Sequence, residues 1–378
     1  VFDYFWLYES ILFARCGFTP SPSRVKTDNV GLAYGLGGVE LRRLGIGFTG
    51  VPYSVRQVAD LAKEAEVSGF ESVWIAEDYF LRDAVTMLTG VAFSTNSIKL
   101  GTGVVNPYTR NPVLIAQTLA TLDEVSGGRA FLALGTGVGP LIEQTGVKFE
   151  KPLQRLRESV ETVRALLSGE ELTFEGKALR VDRVRLGENP YFELLGRFKP
   201  LRGKIPIYVA AIGPKMLEVA GEIADGVLLT AGCSPDYVMH AAKHVRAGAE
   251  RAGRDYGTVD VAAFILTSLS DGPRERLGLK GFIAYGLTYA SGEYLASSRV
   301  SDMEVEPIRR AFLERGMKAG AELVTDSVLN KFSACGDISN CVSRIEQYVE
   351  AGVKLPVVLP VETDTSKLIS ALGRFALS

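Results

Sequence analysis

The chain has 378 residues, with 42 Lys+Arg against 44 Asp+Glu, four cysteines and two histidines. A net charge of -2 leaves no basic footprint for a nucleic-acid backbone, and no uncharged run reaches the ~18 residues of a membrane-spanning helix. Hydrophobic residues make up 47% and charged residues 23%, so the chain can bury a large core without disulfide or metal staples.

Cys16, Cys233, Cys335 and Cys341 show neither CxxC nor zinc spacing and read as free thiols in a reducing cytoplasm. Residues 1–18 (VFDYFWLYESILFARCGF) are aromatic and apolar, and a turn-rich stretch follows them. Asp3 and Glu9 interrupt the apolar part and no basic segment precedes it, which argues against a signal peptide. Regular patterning begins only near Leu41. Residues 1–40 are therefore expected to be an extension outside the main domain, which spans 41–378.

From Leu44 short apolar runs alternate with amphipathic stretches. LGIGF (44–48) is predicted as a buried strand, and Ser54 to Ser68 as a helix with Ser54 as N-cap and Gly69 at its C-terminal stop. SVWIAE (72–77), IKLGTGVV (98–105) and RAFLALG (129–135) are the next strands. They alternate with helices over DAVTMLTGVAFSTN, Pro112–Glu124 and Pro152–Leu167. IPIYVAA (205–211), GVLLTA (226–231), VAAFILTSL (261–269) and LPVVLPV (355–361) complete eight strands. Apolar runs without polar alternation mark parallel strands covered on both faces, and eight β/α units in series favour a closed (β/α)₈ TIM barrel over an open sheet. Two stretches exceed the minimal repeat: 170–204, predicted as a hairpin after helix four, and 271–330, predicted as a helical insertion after strand seven.

In such a barrel the site lies at the C-terminal strand ends. Strand two ends in Glu77-Asp78, either a general acid or cofactor contact, or a first-turn pair favoured by the helix dipole. Strand three ends in GTGVVNPYTRNP (101–112), where glycines mark a bulge or a close approach to ligand, and Asn106, Tyr108 and Arg110 supply hydrogen-bonding groups. Strand four ends in the turn Gly135-Thr136-Gly137, a weak signal by itself. After strand five, Gly213-Pro214 opens a helix beside Lys215, a ready phosphate site, although a plain proline-started helix has the same sequence.

His240 and His244 stand four apart on a predicted helix, a spacing that metal pairs use. No HExxH glutamate accompanies them, so a solvent-facing pair and no metal are expected. With no histidine at a strand end, a Ser-His-Asp or Cys-His nucleophile is not expected, and GxxxxGK[ST] is absent.

The segments GIGF, GFESVWIAED, KLGTGVVNPYTRNP, ATLDEVSGGRAFLALGTG and IPIYVAAIGPKMLEVAGEIADGVLL resemble the bacterial luciferase-like superfamily. Within it they are most similar to the deazaflavin-dependent branch, especially the methylene-tetrahydromethanopterin reductases. The resemblance runs from about Leu44 to the C-terminus and implies a luciferase-like barrel that binds coenzyme F-420, or alternatively FMN, at its mouth. It implies a cis peptide at Gly103–Val104 behind the ring, and a phosphate held by Gly213, Pro214 and Lys215. The cofactor set it implies is Thr102, Gly103, Val104, Asn106, Gly135, Thr136, Gly137, Ala211, Gly213, Pro214 and Lys215, with Glu77 and Asp78 as catalytic residues.

Three positions depart from the relatives' pattern. Gly47 stands where the reductases carry a glutamate, Asp78 where they carry a histidine, and Val138 where the sugar-phosphate dehydrogenases of the branch carry a glutamate. The last argues against a sugar reaction. The activity implied is hydride transfer between F-420 and a small substrate of methylene-tetrahydromethanopterin type. An FMN-dependent monooxygenase and a non-catalytic flavin-binding barrel are the alternatives. A cytoplasmic homo-oligomer acting on a small molecule, without nucleic acid or membrane, is expected.

Overall fold

The computed structural model describes residues 43–376 apart from 190, 192, 193, 195, 196, 362 and 363. The extension expected over residues 1–40 lies outside the described residues.

Eight parallel strands close into a barrel. In chain order the strands are β1 (Gly45–Phe48), β2 (Ser72–Ile75), β3 (Lys99–Thr102), β4 (Ala130–Leu134), the hairpin β5 (Leu172–Glu175) and β6 (Arg180–Val184), β7 (Ile207–Ala210), β8 (Gly226–Leu229), β9 (Asp260–Ser268), β10 (Ser333–Cys335) and β11 (Leu355–Pro360). The barrel runs β1-β2-β3-β4-β7-β8-β9-β11 and returns to β1, with every pairing parallel. All eight predicted strands are present and pair in sequence order. The hairpin after the fourth barrel helix is also where it was expected.

β9 is longer than the other barrel strands. Its first residues pair with β8, and Leu266 to Ser268 take the short β10 on the same edge. β10 was not foreseen, because three residues are too few to show a period.

The helices are α1 (Val55–Val67), α2 (Ala84–Ser94), α3 (Pro112–Val125), α4 (Gly139–Glu143), α5 (Pro152–Leu167), α6 (Pro214–Ile223), α7 (Pro235–Arg251), α8 (Pro273–Thr288), α9 (Gly292–Ser297), α10 (Asp302–Arg315), α11 (Met317–Leu323), α12 (Asp326–Phe332), α13 (Ile338–Glu350) and α14 (Thr365–Ala376). α8 to α12 form the helical insertion. Among the described residues no helix is long and apolar enough to cross a membrane.

Local chemistry sets these boundaries. Ser54 caps α1 in a reciprocal box with Gln57, which satisfies two backbone N–H groups that the first turn leaves unpaired. The chain then leaves α1 through Gly69 at φ +84°, a left-handed conformation that costs a glycine little. Asp83, Asn111, Ser234 and Asp337 cap α2, α3, α7 and α13, each side chain accepting from one first-turn N–H.

Two apolar layers follow from strand alternation. Outward-facing residues such as Ile46, Val73, Leu100 and Val209 pack against the helices, while Trp74, Phe131, Ala133, Leu228, Ala262, Phe264 and Val357 fill the barrel. Trp74 sits among the interior rings, 4.4 Å from Phe131, 5.0 Å from Tyr208 and 6.1 Å from Phe264 between centroids.

At the N-terminal ends of the strands Arg43 bridges Glu71 at 2.6 Å and Asp260 at 2.9 Å. Lys99 reaches Glu71 at 2.9 Å, and the Tyr208 hydroxyl donates to Asp260. Burial alone would push Glu71 up, but the hydrogen bonds and charges of Arg43 and Lys99 outweigh it and hold the carboxyl down to about 2. This network ties the starts of β1, β2, β3 and β9 together at the face opposite the mouth.

Candidate functional site

The C-terminal ends of β2, β3, β4 and β7 converge on one shelf. The Gly103–Val104 bond is cis, as the resemblance implies. The backbone around it stays paired: Gly103 N donates to Ile75 O, Glu77 N to Val104 O, and Gly135 N to Val105 O. Val104 lies half-buried against the interior cluster.

A methyl built on Gly135 would come within 2.9 Å of Val104 Cγ2 and 3.3 Å of Ala210 Cβ. The shelf is therefore flat and apolar because its residues are small. A methyl on Gly103 would meet the Phe264 ring at 2.8 Å, and one on Gly47 would meet the same ring at 2.8 Å. Phe264, from β9, thus occupies the space that a side chain at position 47 would need.

Three polar groups rim the shelf. Both carboxylate oxygens of Glu77 accept from Arg110, with Nε at 3.0 and 2.9 Å and Nη2 at 2.6 Å, and Arg110 also pairs with Asp83. The hydrogen bonds and charge of Glu77, with those of Asp83, outweigh burial and raise Arg110 above its ordinary range. Glu77 is therefore a fixed, neutralised anchor and does not offer a free oxygen.

Asp78 is different. The Gly50 N–H donates to its Oδ2 at 3.1 Å, and burial pushes its carboxyl up against the smaller pull of that bond. Tyr79 is raised by burial and by the neighbouring charge of Asp78. Its oxygen accepts from Val138 N at 2.7 Å, which leaves the hydroxyl proton to donate. Gly137 sits at φ +71° with no room for a methyl beside the Tyr79 hydroxyl, so the strand-four turn needs glycine there. Tyr285, from α8, is raised by burial and by Tyr289, Tyr79 and Asp78, which brings the insertion to the mouth.

At β7 the N-terminus of α6 begins with Gly213 and Pro214, without a side-chain cap. A methyl on Gly213 would meet nothing within 4 Å, and Lys215 is exposed. A helix N-terminus without a side-chain cap, open space and an exposed ammonium stand together here, a donor set that suits a phosphate.

Two of the candidate residues turn their side chains away from the mouth. Thr102 does not present its side chain to the mouth: its hydroxyl donates to Ala133 O at 2.8 Å and accepts from Ala133 N at 3.0 Å, stitching β3 to β4. Ala211 is buried in the outer layer, and it is Ala210 that faces the shelf. Strand alternation explains both, since Gly101, Gly103 and Ala210 are the inward positions. Asn106 is buried, and its carbonyl oxygen accepts from Tyr108 N and Thr109 N, so it shapes the loop with only its amide nitrogen to spare.

His240 and His244 are not a solvent-facing pair. Their side chains are 27% and 25% exposed, and they face Glu293 and Glu218. Tyr79, Tyr285 and Phe264 were missed as site residues. Only Tyr79 carried a sequence signal, its place at a strand end.

The sequence model of a family described as luciferase-like monooxygenase matches residues 43–355. The 5,10-methylenetetrahydromethanopterin reductase of Methanolobus tindarius is 36% identical over 327 residues, 85% of this chain and 95% of its own length. The F-420-dependent glucose-6-phosphate dehydrogenase of Kineococcus radiotolerans is 31% identical over 323 residues, 82% of this chain and 88% of its own. Among solved structures, the coenzyme F-420-dependent tetrahydromethanopterin reductase of Methanopyrus kandleri superposes with a TM-score of 0.78 at 30% identity, covering 89% of this chain and 98% of the other.

Proposed function

The chain belongs to the luciferase-like monooxygenase family, and on that premise we propose that it is an oxidoreductase moving a hydride between coenzyme F-420 and a small methylene-tetrahydromethanopterin-type substrate. The observation that carries this reading is a flat apolar shelf at Val104, Gly135 and Ala210, flanked on one side by a protonatable Asp78 and on the other by the uncapped α6 N-terminus with Lys215. A relative named for F-420 at 31% identity and a solved structure named for it at 30% identity support the choice of deazaflavin.

The chain's residues fit such a group: a small-residue bed for a planar ring, and N–H groups with an ammonium for its phosphate. When bound, the deazaflavin supplies the carbon that gives or receives hydride. The protein's own work is positioning. Val104 and Gly135 would support a planar ring and position it for hydride transfer. Lys215, Gly213 and Pro214 would hold a phosphate. Glu77, locked by Arg110, keeps the ends of β2 and β3 in register. Asp78, whose carboxyl burial raises above its usual range, would be the proton donor facing a substrate nitrogen at the mouth. Tyr285 and the insertion help to exclude water.

Adding reduced F-420 and methylene-tetrahydromethanopterin without oxygen tests the reading. Oxidation of the deazaflavin, followed by its absorbance, is expected, with no activity on FMN. Binding of FMN alone, with oxygen consumption on reduction, would overturn it in favour of a monooxygenase.

A further inference from the structure

We propose that His240, His244 and Glu293 form a site for one divalent transition-metal ion of the zinc type, which clips α7 of the barrel to the helical insertion. His240 and His244 lie one turn apart on the same face of α7. Glu293 comes from the first turn of α9, inside the insertion. The ligand atoms of the three all lie within 4.8 Å of one another. His240 Nε2 is 3.3 Å from Glu293 Oε1, and His244 Nε2 is 3.9 Å from the same oxygen. Ligands about 2.1 Å from a tetrahedral ion stand roughly 3.4 Å apart, so one edge of the site has its final length and the others need small side-chain rotations.

The outer arrangement is the stronger sign. His244 Nδ1 is 3.2 Å from Glu218 Oε1, and Glu218 Oε2 accepts from Arg251 at 2.6 Å. With Arg251 holding its other oxygen, the Glu218 carboxylate engages His244 Nδ1 and leaves Nε2 facing Glu293. Carboxylate–histidine pairs orient metal ligands in this way.

The elements that carry the ligands are held by contacts of their own. Ser234 and Ser291 cap α7 and α9, the Tyr237 and Tyr294 rings lie 4.4 Å apart, and the Tyr294 hydroxyl donates to Gly232 O. Two imidazole nitrogens and one carboxylate suit zinc, nickel or cobalt better than magnesium or calcium, which prefer all-oxygen shells. A fourth position is left to water, and the half-exposed Glu293 gives the ion a way in. The site stands on α7, apart from the strand ends, so its role is to hold the insertion that carries Tyr285. This inference does not depend on the identity of the cofactor.

The test uses the full chain after chelator treatment, with Zn²⁺ as probe. Equilibrium dialysis is expected to give one ion per chain, and the thermal midpoint to rise by about 3–6 °C at a hundredfold excess over Kd. His244→Ala and Glu293→Gln should abolish both effects while leaving the metal-free midpoint close to that of the parent. Glu218→Gln should weaken binding about 10–100-fold. Absence of stoichiometric binding, or equal binding and equal stabilisation in His244→Ala, would overturn the proposal. If the variants lose their metal-free stability, circular dichroism of the chelated parent with and without Zn²⁺, together with bound-metal stoichiometry on the parent, decides it.

Discussion

Glu77 and Arg110, thirty-three positions apart, meet at the mouth of the barrel with both carboxylate oxygens engaged by one guanidinium. Neither can turn toward a ligand without abandoning the other. The pair fastens the end of β2 to the loop after β3, and Asp83 extends the contact to the N-cap of α2. Arg110→Ala is expected to destabilise the fold by about 2–4 kcal/mol, because two acids lose their counter-cation at a largely buried site. Arg110→Lys recovers only part of this, since an ammonium cannot bond both oxygens in a planar fork. Urea midpoints of the three proteins check the order.

Asp78→Asn should separate stability from turnover. The folded pKa of Asp78 lies above its ordinary value, so its ionisation costs stability as the pH rises through that folded value. Asparagine keeps an acceptor for the Gly50 N–H and cannot ionise. Stability at neutral pH should be equal to or above that of the parent, while kcat falls at least tenfold and the acidic-to-neutral limb of the pH–rate profile flattens. Unchanged kcat would remove Asp78 from the proton path.

Lys215→Ala should weaken cofactor binding roughly tenfold to a hundredfold, the loss of one charge-assisted hydrogen bond worth about 1.5–3 kcal/mol. The side chain is exposed, so the thermal midpoint should not move. A fluorescence titration with F-420 measures the affinity, and an unchanged value would move the phosphate elsewhere.

The opposite face of the barrel predicts an acid limit. Glu71 titrates at about 2 in the folded protein against 4.5 for the free group, so it contributes stability above pH 4.5 that is lost as the pH falls toward 2. After allowance for the partial exposure of Arg43 and Lys99, the increment is about 2 kcal/mol. Arg43→Ala should lower the urea midpoint at pH 6 and leave it much less sensitive between pH 4.5 and 2.5.

The barrel was readable because each strand is an unbroken apolar run between capped helices, and both signals are local. β10 and α4 escaped because three and five residues are shorter than the periods that reveal them. The shelf glycines were visible as a motif, but which neighbours face inward is decided by strand phase. That is why Thr102 and Ala211 were assigned one position out of step with the residues that meet the mouth. Arg110 was noticed at the exit, yet its bond to Glu77 joins two separate β/α units, and no local pattern encodes such a contact. The histidine pair was visible, but Glu293 lies some fifty residues further on in the insertion, where only folding brings it near.

Gly47→Ala should cost about 1–3 kcal/mol, because the added methyl meets the Phe264 ring at 2.8 Å and Leu359 at 3.2 Å. Phe264→Leu in the same chain should recover most of that loss. Comparison of the two denaturation midpoints checks the coupling, and independent, additive effects would refute it.

One ring therefore governs two glycines on different strands, and this imposes an order on sequence change. A carboxylate placed at position 47 while Phe264 stands would meet that ring and carry a packing cost. Shrinkage at 264 relieves that cost, but that step alone opens a void beside Gly47 and Gly103 at once. The intermediate would be less stable than either endpoint. Packing thus disfavours an acid side chain on the β1 side of this barrel.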